Sequence, residues 1–390
     1  MTAHVLRADA RALPLPNDSV DAVVTSPPFF SLRSYQDGGE HYAGQIGDEA
    51  DPELFVEALL DVTRECMRVL KPTGSLWLNL GDKYAERAGP ARAGGVDDDP
   101  AGPRRPANRP PRGRRGSIRA KSLMGIPWRY ALGCIDELGL ILRAEVVWQK
   151  PNGLPESVTD RVRRSHETWF HLVQQPRYYS AVDELRQPHQ ASTMSRARHA
   201  TDKAMSGRMH GSPGEKRDHA NAWTPSPLGA LPGSVWTVPT SPLDVPDHLG
   251  VDHYAAFPPE WPKRLITGWS PPGICVRCGA GRRPVAAVAV REPNDQPGRT
   301  ILGYACDCPT PDAPTRPAVI LDPFGGTGTT AMVASCLGRV GISVDLSHDY
   351  NRVARWRTGD PRQRARVLEL PPPAEQADGQ TSLFDTVEDL

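Results

Sequence analysis

The chain is short of long apolar runs, of cysteine and of net charge, and each shortage removes a class of protein. No stretch of its 390 residues approaches the length needed to cross a bilayer, and the opening MTAHVLR has no apolar signal core. The expectation is a cytoplasmic protein with no membrane partner. Seven cysteines in a chain this long do not make a disulfide framework. The formal net charge is +0, which argues against a uniformly basic nucleic-acid binder, but the total hides segregation. From Arg104 to Lys121 there are seven arginines, one lysine and no acid, while the tail after Glu375 is acidic.

What is present alternates between short apolar runs and amphipathic helices, the pattern of an α/β sheet. His4 to Arg7, Val20 to Thr25, Ser75 to Leu80, Leu140 to Trp148 and Trp169 to Gln174 read as strands. Leu54, Phe55, Ala58, Leu59, Val62, Cys66 and Leu70 recur at helical spacing, and Lys71-Pro-Thr-Gly is expected to stop that helix. A last βαβ unit spans a strand at Ala318 to Asp322, a helix at Thr329 to Leu337 and a strand at Val340 to Asp345. The 35 glycines and 41 prolines gather in the interruptions and mark linkers. The expected organisation is a catalytic half at 1–85, a mobile basic loop at 86–121, continued sheet domain at 122–183 and 234–272, and a cofactor-binding unit at 316–360. A polar, solvated insertion at 184–233, open to a target-recognition role, carries His189, His199, His210 and His219 at no metal-ligand spacing. The tail at 361–390 reads as disordered.

Two turns carry chemistry. In TSPPFF, residues 25–30, Pro27 and Pro28 fix the backbone directly after a strand. The turn offers the Ser26 hydroxyl and the Pro27 carbonyl as acceptors beside the Phe29 face, which suits a flat ligand bearing an NH2 group. In DPFGGTGTT, residues 322–330, three glycines join strand to helix and let the backbone approach a ligand. Asp345, 17 residues after Gly328, is placed to accept from ribose hydroxyls. The glycine turn alone would equally suit a nicotinamide oxidoreductase, which would not need Ser-Pro-Pro-Phe.

Together, Ser26-Pro27-Pro28-Phe29 and Phe324-Gly325-Gly326-Thr327-Gly328 resemble the catalytic tetrapeptide and the Phe-x-Gly-x-Gly loop of the amino-methylating DNA methyltransferases. The cofactor loop follows the tetrapeptide by some 300 residues, the permuted order of the β group. The resemblance continues through GIPWRYAL, SVWTVP and AAFPPEWPKRLI. It implies a class I, Rossmann-like S-adenosylmethionine-dependent fold with circularly permuted motifs, acting on double-stranded DNA. It places Asp322, Phe324, Gly326 and Gly328 around the methionine part of the cofactor, Asp345 at the ribose and Asp9 at the adenosine end. Pro258 and Pro259 lie in a stretch that lines the cofactor in relatives. It allows a cognate restriction endonuclease as partner. Because the target amine is not accessible for in-line attack inside a stacked duplex, the base is expected to flip out and stack on Phe29, with Phe30 in the core. Serine heading the tetrapeptide is commoner among cytosine-N4 enzymes, and a hydroxyl can donate to the neighbouring ring N3 where an ionised carboxylate cannot. N4-methylcytosine is therefore the expected product, with adenine N6 the alternative. An inactive DNA-binding regulator on the same fold is the rival from another class, and the intact turns argue against it.

Cys275 and Cys278, in CVRC, and Cys306 and Cys308, in CDC, form two paired-thiol knuckles in a 273–310 insertion. They suit a structural zinc ribbon, although the second knuckle is one residue short of the usual gap. Cys66, Cys134 and Cys336 sit on apolar helix faces and read as core.

Overall fold

The computed structural model describes residues 2–31, 36–37, 40–41, 44–85, 118–153, 155–197, 225–251, 256–289, 298–310 and 312–371. Most of the arginine-rich segment, His199, His210, His219 and the tail from 372 lie outside the described residues. An eight-stranded sheet forms the frame. Its strands are β1 (Ala3–Arg7), β2 (Val20–Thr25), β3 (Leu70–Leu80), β4 (Ile141–Gln149), β5 (His166–Val173), β6 (Val235–Thr237), β7 (Val319–Asp322) and β8 (Val340–Asp345). They lie side by side in the order β1-β8-β7-β2-β3-β5-β4-β6, and only the pairs made by β5 are antiparallel. The helices are α1 (Pro52–Val69), α2 (Ile126–Asp136), α3 (Glu260–Trp269), α4 (Thr329–Cys336), α5 (His348–Gly359) and α6 (Pro361–Leu368).

The local chemistry explains these elements. Asp51 caps α1 by accepting from the Leu54 amide, Pro52 opens the helix, and Phe55, Leu59, Val62, Cys66 and Val69 form its buried stripe. All six residues of β2 are buried, as expected of a parallel strand covered on both faces. Along β3, Leu76, Leu78 and Leu80 enter the core shared with α1 and α2, while the intervening Trp77 enters a second, tryptophan-rich core under α3 and α4.

Where the sequence reading and the structure part, the reasons are local. Lys71-Pro-Thr-Gly is not a separate turn: β3 begins at Leu70, which pairs with Val20 across a register shift. The tail is not disordered from 361, because α6 forms there. Asp360 accepts from the Arg362 and Gln363 amides, Pro361 opens the helix, and Ala365 and Val367 are buried. Cap and two small apolar residues outweigh a polar composition. The 184–233 insertion is tied down at its roots, where Gln187 bridges Ala230, Arg186 donates to the Gly229 carbonyl at 2.7 Å and the His189 ring lies 2.8 Å from the Ser226 carbonyl. Residues 191–197 are helical.

The topology fixes where a ligand can sit. From β7 the chain crosses through α4 to β8 on one side, and from β2 it crosses through α1 to β3 on the other. Between β7 and β2 the winding reverses, and the loops after the two strands part to leave a crevice at their carboxyl ends. One carboxylate holds the junction closed below that crevice. Asp322 accepts from Thr25 Oγ1 at 2.6 Å and from Thr330 Oγ1 at 2.9 Å, joining the end of β2 to the end of β7. At the other end Asp21 accepts from the Val319 amide at 2.9 Å and pairs with Lys71 at 2.5 Å. No helix among the described residues is long and apolar enough to cross a membrane.

Candidate active site

The crevice holds about 870 Å3 of space open to solvent, and both sequence-singled turns reach it. Asp9, Ser26, Pro28, Phe324, Gly326 and Asp345 line it. Pro27, Phe29, Asp322 and Gly328 do not. Pro27 is buried beneath the turn. The half-buried Phe29 ring rests on the backbone of Gly81, where an added Cβ would lie 2.6 Å from it. Asp322 has no face on the crevice, since it is 1% exposed and its oxygens are taken by Thr25, Thr330 and the Phe324 amide. Gly328 caps α4 with φ +74, and its Cα faces Ala354 of α5, which a Cβ would meet at 3.0 Å. Both are supports of the loop, not its contact surface. Pro258 and Pro259 turn to a separate cavity behind the crevice, and Phe257 just before them supplies a wall.

The glycine loop is closed upon itself. The amides of Phe324, Gly325, Gly326 and Gly328 donate to Asp322, the Val344 carbonyl, Asp345 Oδ2 and the Gly325 carbonyl. A pyrophosphate would need such amides free and would meet the Asp345 carboxylate. This geometry speaks against a dinucleotide. The loop lies flat on β8, because a Cβ on Gly325 would fall 1.9 Å from Ser343 Oγ. Beside it stand Asp345, the Asp9 carboxylate and the apolar faces of Phe324, Phe257 and Ile46. Arg11 pairs with Asp9 at 2.7 Å, and its hydrogen bonds hold the Asp9 carboxyl below the usual carboxylate range. Carboxylates for hydroxyl and amine donors, apolar walls for a ring and a flat glycine seat fit a cationic nucleoside such as S-adenosylmethionine.

Ser26 has a partner the sequence reading did not identify. Its hydroxyl donates to Asn79 Oδ1 at 3.1 Å, and Asn79, 1% exposed at the end of β3, donates from Nδ2 to the Thr168 carbonyl at 3.2 Å. The Thr168 contact fixes which way the amide faces. The Ser26 proton is therefore directed into the protein, and its oxygen meets the crevice as an acceptor. Donation from this hydroxyl to cytosine N3, expected from the sequence, is not the arrangement found. Asn79, Phe257 and Tyr350 of α5, which also lines the crevice, are site residues the sequence reading missed. Their signal was position: Asn79 falls at the end of β3, Tyr350 in the first turn of α5, and Phe257 in the loop that leads into α3. Phe30 is 7% exposed, its ring 5.5 Å from Phe55, as expected of a core residue.

Far from the crevice, at the start of β7, the four remaining cysteines come together. All four sulfurs lie within 4.8 Å of one another, and Cys278 and Cys306 are 3.8 Å apart. Tetrahedral thiolates at about 2.3 Å from a metal stand about 3.8 Å from each other. A hairpin of Arg283–Ala289 and Gly298–Ala305 joins the knuckles, and Ile274–Cys275 pairs with Thr315–Arg316 at the base. Cys66, Cys134 and Cys336 are buried, as core residues should be.

Comparison with known proteins agrees with this geometry. A family model described as DNA methylase, of N6 and N4 methyltransferases, matches residues 20–277 and 312–355. The chain is 29% identical over 343 residues to the Type II methyltransferase M.SmaI of Serratia marcescens, covering 88% of this chain and 85% of that one. It is 30% identical over 353 residues to the Type II methyltransferase M.XycI of Xanthomonas campestris pv. cyanopsidis, covering 88% and 82%. Among solved structures, the PvuII DNA methyltransferase (cytosine-N4-specific) superposes with a TM-score of 0.54 at 16% identity, covering 95% of this chain and 91% of that one.

Proposed function

We propose, for a chain that belongs to the amino-methylating DNA methyltransferases of the N4/N6 family, that it methylates the exocyclic N4 of a cytosine flipped out of duplex DNA. S-adenosylmethionine, the methyl donor of that family, supplies an activated methyl on a sulfonium, so no metal or covalent intermediate is needed in the transfer. The preference for cytosine rests on serine at the head of the tetrapeptide.

The observation that carries the mechanism is the Ser26–Asn79–Thr168 chain. The amino nitrogen of a nucleobase is a poor nucleophile because its lone pair is conjugated into the ring. With its hydroxyl hydrogen directed to Asn79 Oδ1, the Ser26 oxygen accepts one amino hydrogen, and the backbone carbonyl of Pro27, whose ring is buried beneath the turn, serves as the second acceptor. Two fixed acceptors favour a pyramidal nitrogen whose lone pair points along the methyl–sulfur axis. The N–CH3 bond forms as the S–CH3 bond breaks, and the cationic product then loses a proton to solvent. Asn79 is an amide and takes no proton, so the dyad positions and does not act as a base. Holding nucleophile and methyl in line lowers such a barrier by roughly 7–11 kcal/mol in favourable cases. Phe29, held on Gly81, offers its open face for the flipped base to stack on.

Three further roles belong to the same reading. The arginines of residues 104–121 contact phosphates and position the duplex without reading sequence. The four-cysteine cage holds a structural zinc. A cytoplasmic enzyme with a cognate endonuclease would fit the Type II names of its relatives.

Ser26→Ala removes one acceptor and leaves the cofactor seat intact. Methyl transfer should fall on the order of 10²–10³-fold, as when one donor of an oxyanion hole is removed, while S-adenosylmethionine binding by calorimetry stays near the parent value. Label entering DNA at the parent rate would sink the assignment.

A further inference from the structure

We infer that Val162 is the wedge that enters the duplex and fills the place left by the flipped base. The inference rests on the base-flipping reading above. It starts from an exposed side chain in an unusual setting. Val162 is 86% exposed, more than any other large apolar residue among those described. A lone exposed valine on a loose loop would need no explanation. This one sits on a braced loop, described at residues 150–153 and 155–165, which joins β4 to β5 at the edge where β3 also ends, the edge of the crevice.

The bracing grips Val162 from both sides. Arg161 donates from Nη1 to Glu156 at 2.6 Å and to the Val162 carbonyl at 3.1 Å. Glu156 also accepts from the Arg164 amide at 3.3 Å, and Arg163 donates to the Gly153 carbonyl at 3.0 Å. The loop is then tied to the catalytic turn. The Arg161 guanidinium lies 3.8 Å from the Tyr84 ring centroid, Arg164 pairs with Asp82 at 3.6 Å, and Lys83 between them donates to the Ser31 carbonyl at 2.9 Å. Ser31 follows Ser26-Pro-Pro-Phe-Phe directly. On its other flank, Asp160 pairs with Lys121, the last cation of the basic segment, at 2.6 Å.

So a braced mount presents one apolar tip between the catalytic turn and Lys121. Its arginines are spent on the mount, which leaves the tip as the part free to act. Flipping a base opens a gap in the stack that water fills poorly, and an apolar side chain on a fixed support closes it and slows the return of the base. Val162 has the exposure, the support and the place to do so.

The test compares the parent, Val162→Ala and Val162→Ile on a duplex containing a site that the parent methylates. One version pairs the target base normally; the other has an abasic residue opposite it. On the matched duplex kcat of Val162→Ala should fall about tenfold, because nothing then slows the return of the flipped base to the stack, and the abasic duplex, whose target base has no pairing partner to return to, should restore it. Val162→Ile should stay near the parent on both. Parent-like rates for Val162→Ala on the matched duplex, or an equal loss on both duplexes, would overturn the inference. A parent enzyme that fails to brighten 2-aminopurine placed at the target position would instead refute base flipping itself, and the wedge with it.

Discussion

At the scale of single residues, the site is held from below by groups with no face on the crevice, Asp322 above all. Asp322 was legible as the start of a glycine loop, and the family pattern suggested a cofactor contact. Sequence could not show which way a strand-end carboxylate points, and the pleat turns this one inward to Thr25 and Thr330. Burial pushes its carboxyl up to about 6 despite three donors, from an ordinary value of 3.8. The folded chain thus holds this proton more tightly than the unfolded chain does. Its contribution to stability is full below about pH 4 and is lost as pH rises through about 6. Denaturant titrations of parent and Asp322→Asn should show a stability difference that changes across that window and is flat above about pH 7. Parallel curves from pH 4 to 7 would contradict the account of this carboxylate.

At the scale of elements, hydrophobic patterning located every strand of the central sheet but one, together with helices α1 and α4. The exception is β6, only three residues long, too short for alternation to register. The helix after Asp360 was missed because its signal is a cap and two buried small residues in a charged stretch. The cysteine knuckles were readable from spacing, though only folding shows the second, shorter one closing on the first. Their ribbon leads into the start of β7, at the edge opposite the crevice, so its metal would hold structure and take no part in methyl transfer. The purified protein should contain about one zinc per chain, as a four-thiolate site demands. Cys306→Ser with Cys308→Ser should lose the metal and lower the melting temperature, yet reduce methyl transfer far less than Ser26→Ala. A metal-free parent would remove the zinc assignment.

At the scale of the whole molecule, the permuted order of the two turns becomes one crevice. Residues 300 positions apart in sequence meet because β2 and β7 are neighbours at the point where the winding reverses. The two turns were legible as motifs, and their meeting followed from family order. The Ser26–Asn79 contact was not legible, because it depends on β2 and β3 pairing in one register. The uneven charge along the chain belongs to this scale too: Lys121, the last cation of the basic segment, pairs with Asp160 of the Val162 loop.

Methylation of the exocyclic amine of cytosine, proposed above, is decided by the identity of the methylated nucleoside. Duplex DNA from a host lacking methylation would be incubated with the parent enzyme and methyl-labelled S-adenosylmethionine, digested to nucleosides and separated by mass. The account predicts label in N4-methyldeoxycytidine and nowhere else. N6-methyldeoxyadenosine as sole product would overturn the choice of base, and label in 5-methyldeoxycytidine would contradict amino-group methylation altogether.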